Sequence, residues 1–283
     1  MADDLAFAHS LADAADAITT ARFRARDLRV DTKPDLTPVS EADRAAEEAI
    51  RAAVRASRRG EGVFGEEFGD DGGDARWIVD PIDGTTNYVR GVPVWATLLA
   101  LERDGEVVAG LVSAPALGRR WWAERGGGAW AADAGRGGVV RAGGAGGPSG
   151  GGVAAALAGG GAEAGGTRCR VSRVARIEDA AVSTTWARRM PPGWAEIMAR
   201  AWSNRGLGDF WQHCLVAEGA LDVGCDAVVM EWDYAAVRLI VEEAGGRCTT
   251  FDGAPPHPGA SLVTTNGLLH EAVVALLRGQ TRV

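Results

Sequence analysis

Two aspartates stand close together in the segment WIVDPIDGTTNY, which covers residues 77–88. Asp80 ends an apolar run, a proline stiffens the turn behind it, and Asp83 returns a second carboxylate to the same space. Hard cations such as Mg²⁺ take carboxylates, backbone carbonyls, water and phosphate oxygens as ligands. The carbonyl of Ile82 lies between the acids and is a further candidate ligand. The spacing predicts a cation site, although an Asp-Gly turn after a buried strand would by itself explain Asp83 and Gly84.

The residues after the second acid favour an anion site beside the cation. Gly84, Thr85 and Thr86 can open a helix whose free N–H groups bind phosphate oxygens, and glycine permits the close approach. No competing motif is present, since the sequence has no EF-hand spacing, no P-loop and no G-x-S-x-G. The four histidines form no recognisable ligand pair, and we expect each to be a surface or packed residue.

Composition bounds the class of protein. The chain has 283 residues and a formal net charge of −8, without a block of basic residues, which argues against a nucleic-acid partner. The N-terminus lacks a signal-peptide pattern and no apolar run is long enough to span a bilayer, so we expect a cytoplasmic protein with no membrane partner. The four cysteines lack C-x-x-C spacing and are expected to be reduced and packed.

The elements that must position the acids begin with two helices. Residues 2–27 have helical apolar spacing, and a second helix follows Ser40, which stands as its N-cap with Asp43 at the third helical position. A glycine-rich acidic loop is predicted at 62–74. A short buried strand then ends at Asp80.

Strands and helices continue to alternate to the end of the chain, with one interruption. Residues 132–166 are mostly glycine and alanine, and this composition favours a flexible insertion over a structured functional arm. We therefore divide the chain into an N-terminal α+β half at 1–131, the insertion or linker at 132–166, and a C-terminal α/β half at 167–283. The alternation favours an α/β or layered α+β architecture.

Three segments resemble the inositol monophosphatase superfamily of Mg²⁺-dependent phosphatases: GEEFG, WIVDPIDGTTNYVRGVP and EWDYAAVRLIVEEAGG. They occur in the order of that family, and the resemblance covers the chain apart from the Gly/Ala-rich segment. Other stretches, among them DTKPDLTPVSEAD and GDFWQHCLVAEGALD, are most similar to bacterial histidinol-phosphate phosphatases. The resemblance implies a layered αβαβα sandwich of the inositol monophosphatase/fructose-1,6-bisphosphatase type. It also implies a homodimer and two or three Mg²⁺ ions per active site.

The same resemblance implies metal ligands in both halves of the chain. They would be Glu66, Asp80, the Ile82 carbonyl, Asp83 and Asp233. Asp80 would bridge the first two ions, and Glu67 would lie in the outer shell near a third ion. Taken alone, Glu66 and Glu67 are better explained by a solvated acidic loop, and Asp233 could be a helix N-cap, a role compatible with metal binding.

The resemblance further implies that Asp43 and Thr85 activate the attacking water, while the N–H groups of Gly84 and Thr85 hold the phosphate. Asp43 is also where a capping-box acid belongs after Ser40, so the sequence leaves cap and catalyst open.

The resemblance also implies that substrate specificity depends on Arg205, Asp209 and Asp226, and the two acids among them suit a cationic amine or imidazole. An internal ion pair between Arg205 and Asp209 is the alternative. The expected function is Mg²⁺-dependent hydrolysis of L-histidinol phosphate. Inositol monophosphate, a sugar phosphate or a nucleotide-like phosphate is the alternative substrate, and a non-catalytic regulatory protein on the same fold is a remote one.

Overall fold

The computed structural model of the protein describes residues 2–34, 36–133 and 165–279. The helices of these residues are α1 (Ala2–Arg22), α2 (Glu41–Ser57), α3 (Thr85–Val89), α4 (Pro192–Arg200), α5 (Asp209–Glu218), α6 (Glu231–Glu243) and α7 (His270–Leu277). The strands are β1 (Val30–Thr32), β2 (Pro38–Ser40), β3 (Glu61–Gly65), β4 (Gly69–Asp70), β5 (Ala75–Asp83), β6 (Ala96–Arg103), β7 (Glu106–Ala114), β8 (Arg119–Glu124), β9 (Gly128–Asp133), β10 (Thr167–Arg168), β11 (Ala181–Thr184), β12 (Ser203–Arg205), β13 (Val223–Val229), β14 (Arg247–Thr249) and β15 (Ala260–Thr265). The insertion predicted at 132–166 lies outside the described residues except at its ends.

Two large sheets and a small one organise the described strands. The first sheet has eight strands in the order β10-β9-β8-β7-β6-β5-β3-β4, and the second has five in the order β12-β11-β13-β15-β14. The first is antiparallel except where β3 runs parallel to β5. In the second, β11 is parallel to both β12 and β13. Strands β1 and β2 form a separate antiparallel pair.

Helices occupy three layers around these sheets. Helices α1 and α2 pack on the outer face of the first sheet, while α5 and α6 lie between the two sheets. Helices α4 and α7 cover the outer face of the second sheet. The layered α+β fold expected from the sequence is therefore confirmed.

Strand β5 carries the acids of the opening motif, and its alternation sets their direction. Trp77 and Val79 point to the α1–α2 side and Ile78 points to the middle layer. Because side chains alternate along a strand, Asp80 shares the face of Ile78. The pairing of β5 with β6 shifts between Asp80 and Asp83, where β5 has one residue more than its partner. This bulge brings Asp83 back to the face that Asp80 uses.

The prediction of a loop throughout 62–74 is wrong at two places, because Glu61–Gly65 forms β3 beside β5 and Gly69–Asp70 forms β4 beside β3. Gly62 and Gly65 made β3 resemble a loop in the sequence, because glycine is uncommon inside strands. Contacts with distant atoms explain why glycine is needed at both positions. A Cβ on Gly62 would lie 1.6 Å from the Gly72 carbonyl oxygen, and one on Gly65 would lie 2.1 Å from the Glu47 carboxylate. The predicted end of β5 at Asp80 is also too early, since the strand continues to Asp83.

Two further expectations concern the described residues as a whole. All four cysteines are buried and free, as expected from their spacing. No helix of the described ranges combines the length and the apolar character that crossing a bilayer requires.

Candidate active site

Three carboxylates meet at the edge of the middle layer. Oxygen atoms of Asp80, Asp83 and Asp233 all lie within 4.8 Å of one another. The first two come from the bulged end of β5, and the third from the first turn of α6. One oxygen of Asp233 caps α6, accepting a 2.6 Å hydrogen bond from the Met230 amide. Capping and metal binding are thus compatible, because the second oxygen of Asp233 is left to the cluster.

Burial makes the ionised form of these three carboxyl groups unfavourable. It raises the pKa of Asp80, and the neighbouring carboxylates, Glu66 first among them, raise it further. Burial followed by Asp209 raises the pKa of Asp83 in the same direction, and burial raises that of Asp233 to about 7. None of the three forms an ion pair with lysine or arginine in the described ranges. An all-oxygen donor set that lacks a positive partner fits a hard divalent cation.

Glu66 and Glu67 follow β3 directly and share one basic partner. The Lys33 ammonium lies 2.7 Å from Glu66 Oε1 and 2.7 Å from Glu67 Oε1. Burial alone would lower the pKa of Lys33, but these two hydrogen bonds outweigh it and raise the pKa. Sequence analysis assigned no role to Lys33, although it lies in the quoted segment DTKPDLTPVSEAD and is the only lysine of the chain. A single lysine in a chain of this length is a signal that could have identified Lys33 as a candidate site residue.

A buried ion pair on α2 holds the turn that carries these glutamates. Glu47 accepts hydrogen bonds from the amides of Glu67 and Phe68, at 2.8 and 3.2 Å. Arg51, one helical turn later, donates to the same carboxylate from Nε and Nη2. The side chains of Glu47 and Arg51 are 0% and 5% exposed, so the pair is a fixed part of the interior.

Asp43 and Thr85 also meet in the structure. Asp43 Oδ2 accepts hydrogen bonds from the Ser40 amide and hydroxyl, which completes the capping box of α2. Asp43 Oδ1 lies 3.2 Å from Thr85 Oγ1, which also lies 2.9 Å from the Ile82 carbonyl oxygen. One oxygen therefore caps the helix and the other faces the threonine. Burial raises the pKa of Asp43 to about 6, against the opposing effect of Ser40.

Gly84 forms the tight corner between β5 and α3. Its φ of 84° lies in the left-handed region that favours glycine. A Cβ at this position would stand 3.0 Å from the Val94 carbonyl oxygen and 3.3 Å from Asp209 Oδ2. Any larger residue would crowd the space between the metal-ligand candidates and Asp209.

A pocket of about 110 Å³ opens beside the cluster. Its lining residues are Asp83, Thr185, Trp186, Asp209, Phe210, His213, Asp226, Val228, Val229 and Asp233. The Phe210 amide donates a 2.6 Å hydrogen bond to Asp83 Oδ2, which ties the start of α5 to β5. The structure thus places two of the predicted specificity residues, Asp209 and Asp226, beside the predicted metal ligands.

Arg205 is not among the residues that line this pocket. It is exposed at the end of β12, and its Nη1 donates to the Asn204 carbonyl oxygen. Asp209 accepts a hydrogen bond from Asn87 at 3.0 Å. The predicted role of Arg205 in substrate binding stays a prediction. Sequence reasoning missed Trp186, which belongs to no quoted motif, and placed His213 only as a surface or packed residue although it lies in the segment GDFWQHCLVAEGALD.

The comparisons with known proteins agree with this geometry. Residues 1–136 and 135–282 match the model of the inositol monophosphatase family. A histidinol-phosphatase of Mycobacterium tuberculosis is 48% identical, with 97% of this chain and 98% of that protein aligned. A histidinol-phosphatase of Streptomyces coelicolor is 44% identical over 97% of each chain. The solved IMPase of Thermotoga maritima has a TM-score of 0.80 and 29% identity, covering 98% of both chains.

The fold, the acidic cluster and these matches define a phosphoric monoester hydrolase. The chain belongs to the inositol monophosphatase family.

Proposed function

We propose that this protein hydrolyses L-histidinol phosphate to L-histidinol and phosphate with the help of Mg²⁺. The observation that carries the proposal is the pocket whose lining combines the metal-ligand candidates Asp83 and Asp233 with two further carboxylates, Asp209 and Asp226. A substrate with a phosphate and a cationic group matches this lining, because the metal would bind the phosphate and the further acids suit the cation. The names of the 48% and 44% identical relatives support the same substrate.

The residues that would hold two or three Mg²⁺ ions are Glu66, Asp80, the Ile82 carbonyl, Asp83 and Asp233, with Glu67 in the outer shell. When bound, Mg²⁺ lowers the pKa of water, screens the phosphate charge and stabilises the leaving oxygen. The observation that favours a divalent cation is the cluster of Asp80, Asp83 and Asp233, of which Asp80 is buried and none pairs with lysine or arginine in the described ranges.

The protein's own groups then position and deprotonate the nucleophile. Thr85 Oγ1 lies between Asp43 and the Ile82 carbonyl, so it can accept a hydrogen bond from water and pass a proton toward Asp43 Oδ1. Ser40 holds the other oxygen of Asp43, which fixes the direction of that carboxylate. No covalent enzyme intermediate is needed.

The corner at Gly84 would hold the phosphate. Gly84 and Thr85 stand at the N-terminal end of α3, where backbone N–H groups have no partner within the helix. Their donors and the metal-ligand candidates thus border the same space, which suits in-line displacement at phosphorus.

Inositol monophosphate or another small phosphate ester is the second candidate substrate. The match to the family model and the likeness to the Thermotoga maritima IMPase favour it. A non-catalytic regulatory role is disfavoured because every predicted catalytic acid is present. The homodimer and the cytoplasmic location stay predictions.

The test is phosphate release from L-histidinol phosphate, inositol 1-phosphate, fructose 1,6-bisphosphate, AMP and 3′-phosphoadenosine phosphate, with Mg²⁺ and with EDTA. We expect the highest kcat/KM for histidinol phosphate and no turnover in EDTA. Asp80→Asn should lower kcat at least about 100-fold, because it removes one of the carboxylates that would hold the metal. The exposed Asp74→Asn is the control. Full activity of Asp80→Asn would overturn the metal proposal, and preference for another ester would overturn the substrate.

A further inference from the structure

An ion pair outside the acidic cluster ties the first turn of α6 to the first sheet. Arg76 Nη2 donates a 2.8 Å hydrogen bond to Glu231 Oε1, which joins β5 to α6 across a separation of 155 residues. The two side chains are 26% and 17% exposed, so the pair is largely shielded from water. Glu231 is the first residue of α6 and stands two positions before Asp233. The contact therefore acts on the turn of helix that carries a metal-ligand candidate.

Strand geometry directs Arg76 toward this helix. Arg76 lies two residues before Ile78 and four before Asp80, so the alternation of side chains puts all three on the face of β5 that meets the middle layer. Its cross-strand neighbour on β6 is Glu102. Glu102 accepts a hydrogen bond from Arg76 Nε at 2.8 Å and another from Nη2 at 3.4 Å. The strand pair thus holds the guanidinium in the direction of α6.

An aromatic contact adds a second link to the same turn. The guanidinium carbon of Arg76 lies 5.0 Å from the centroid of the Phe64 ring, a distance at which cation and ring attract each other. The Phe64 ring in turn lies 5.4 Å from a ring of Trp232, the residue directly before Asp233. Both helical residues that precede the aspartate are therefore held by one guanidinium, the first directly and the second through Phe64.

The acidic cluster needs such contacts because its members repel one another when they are ionised. Oxygen atoms of Asp80, Asp83 and Asp233 lie within 4.8 Å of one another, and like charges at this distance push apart. Among the described residues, the hydrogen bond that Asp233 accepts comes from the Met230 amide at the N-cap of its own helix. That bond does not hold α6 to β5. Contacts of the neighbouring residues must therefore oppose the repulsion.

We propose that Arg76 is a positioning residue of the metal site, because it holds the first turn of α6 against β5 and so sets how far Asp233 stands from the two aspartates of the strand. Arg76 forms no ion pair with any of these three acids in the described ranges, so it acts through its neighbours. This inference rests on the proposed function, which it deepens by naming the contact that assembles the Mg²⁺ site from two distant segments of the chain.

Removal of Arg76 separates the effect of position from that of charge. Its guanidinium lies near three carboxylates, those of Glu102, Glu231 and, at 3.7 Å, Asp70. Loss of the positive charge makes this region more negative, which by itself would strengthen the binding of a cation. We expect Arg76→Met to weaken Mg²⁺ binding about tenfold instead, because the first turn of α6 is no longer held in place.

Calorimetric titration of the metal-free protein with Mg²⁺, in the absence of substrate, measures this dissociation constant. In turnover, the Mg²⁺ concentration for half-maximal rate should rise by the same factor, while kcat at saturating Mg²⁺ stays close to that of wild type. Unchanged or tighter Mg²⁺ binding in Arg76→Met would overturn the positioning role.

Glu231→Ala and Glu102→Ala are a matched pair, because each removes one carboxylate that binds the same guanidinium. Glu231→Ala should weaken Mg²⁺ binding about tenfold, whereas Glu102→Ala should change it less than about threefold, since Glu102 belongs to β6 and not to α6. Urea denaturation of each variant in EDTA measures its stability separately. This pair carries the test if Arg76→Met fails to fold. Equal weakening of Mg²⁺ binding in the two variants would overturn the proposal.

A double-variant cycle tests the route of the effect. In an Asp233→Asn background, Arg76→Met should weaken Mg²⁺ binding no further, because the carboxylate that Arg76 positions is absent. Additive weakening would overturn the assignment of Asp233 as the group that is positioned. Failure of the proposed function looks different, because wild type itself would then bind no Mg²⁺ in the titration or release no phosphate from any ester.

Discussion

Lys33 supplies a positive charge where the candidate metal ligands are most crowded. Its ammonium contacts Glu66 and Glu67 together, and Glu66 in turn interacts with Asp80. Lys33 is the only lysine of the chain, and the other 29 of its 30 Lys and Arg residues are arginine. An ammonium is a compact charge on a flexible stem, whereas the planar guanidinium demands a fixed geometry. The site therefore contains an internal counter-ion that can move aside for a metal.

Replacing this charge should destabilise the metal-free protein. We expect Lys33→Met to lower the free energy of unfolding in EDTA by on the order of 1 kcal/mol, since two partly buried carboxylates lose their common partner. Excess Mg²⁺ should shrink the difference because the ion replaces the lost charge. Urea denaturation in both conditions measures the effect, with Lys33→Arg as the charge-preserving control. Equal stability of wild type and Lys33→Met in EDTA would contradict the counter-ion role.

Local motifs predicted the acids of the site together with the Ile82 carbonyl, Gly84 and Thr85. Asp80 and Asp83 were found because they stand three residues apart beside a glycine corner. Lys33 and His213 reach the site only through the tertiary fold, so no spacing in the sequence connects them with it. Their hydrogen bonds to Glu66 and Asp226 cross separations of 33 and 13 residues.

At the scale of elements, α2 supports the turn that presents Glu66. The Glu47 carboxylate occupies the place that a side chain at Gly65 would need and is held there by Arg51 and two amides. Strand β3, the following turn and α2 therefore form one unit in which the turn cannot shift without disturbing a buried ion pair.

Gly65→Ala should disturb this unit. The new Cβ would lie 2.1 Å from Glu47 Oε1, so the carboxylate must move and both amides lose their acceptor. We expect a loss of about 2–3 kcal/mol in stability and a raised Mg²⁺ concentration for half-maximal activity. Gly206→Ala, where the added Cβ meets its nearest atom at 3.9 Å, is the matched control. Wild-type metal dependence in Gly65→Ala would show that the turn does not depend on this contact.

Helices and strands could be predicted from the sequence where a motif of a few consecutive residues defines them. Ser40 and Asp43 form the expected capping box, and α2 begins where that motif places it. Strand β3 and the bulge in β5 were missed because both depend on neighbours. Gly62 and Gly65 reflect crowding by distant atoms, and the bulge appears only in the register against β6.

At the scale of the whole molecule, each of the two large sheets has a histidine beside it, of which His270 is buried and His9 partly buried. His270 at the start of α7 lies 3.0 Å from the hydroxyls of Thr249 and Thr265, and His9 in α1 packs edge-on against Trp122. Burial, helped by a nearby arginine, lowers the pKa of each histidine to about 4. Both rings are therefore neutral in the folded protein at pH values where the unfolded chain protonates them.

His270 should make the fold sensitive to acid. Its folded pKa lies below the ordinary value of 6.5, so its contribution is complete above pH 6.5 and is lost as the pH falls toward 4. Within that window we expect it to remove about 1 kcal/mol of stability per pH unit. Denaturation of wild type and His270→Gln between pH 4.5 and 7 measures the difference. Carboxylates with raised pKa act in the opposite direction, but they are common to both proteins.

The exposed His257, changed to glutamine, is the control for that measurement. Identical slopes of stability against pH for wild type and His270→Gln would contradict the role of His270.

The acidic cluster draws two members from β5 and one from α6, which are about 150 residues apart in the chain. A polypeptide is made from its N-terminus at about 5–20 residues per second, so roughly 8–30 s separate the synthesis of Asp83 from that of Asp233. Throughout that interval the nascent chain has the strand acids but lacks their third partner. The acidic cluster is thus completed only after most of the polypeptide has been synthesised, and the chain can become catalytically active only from that point.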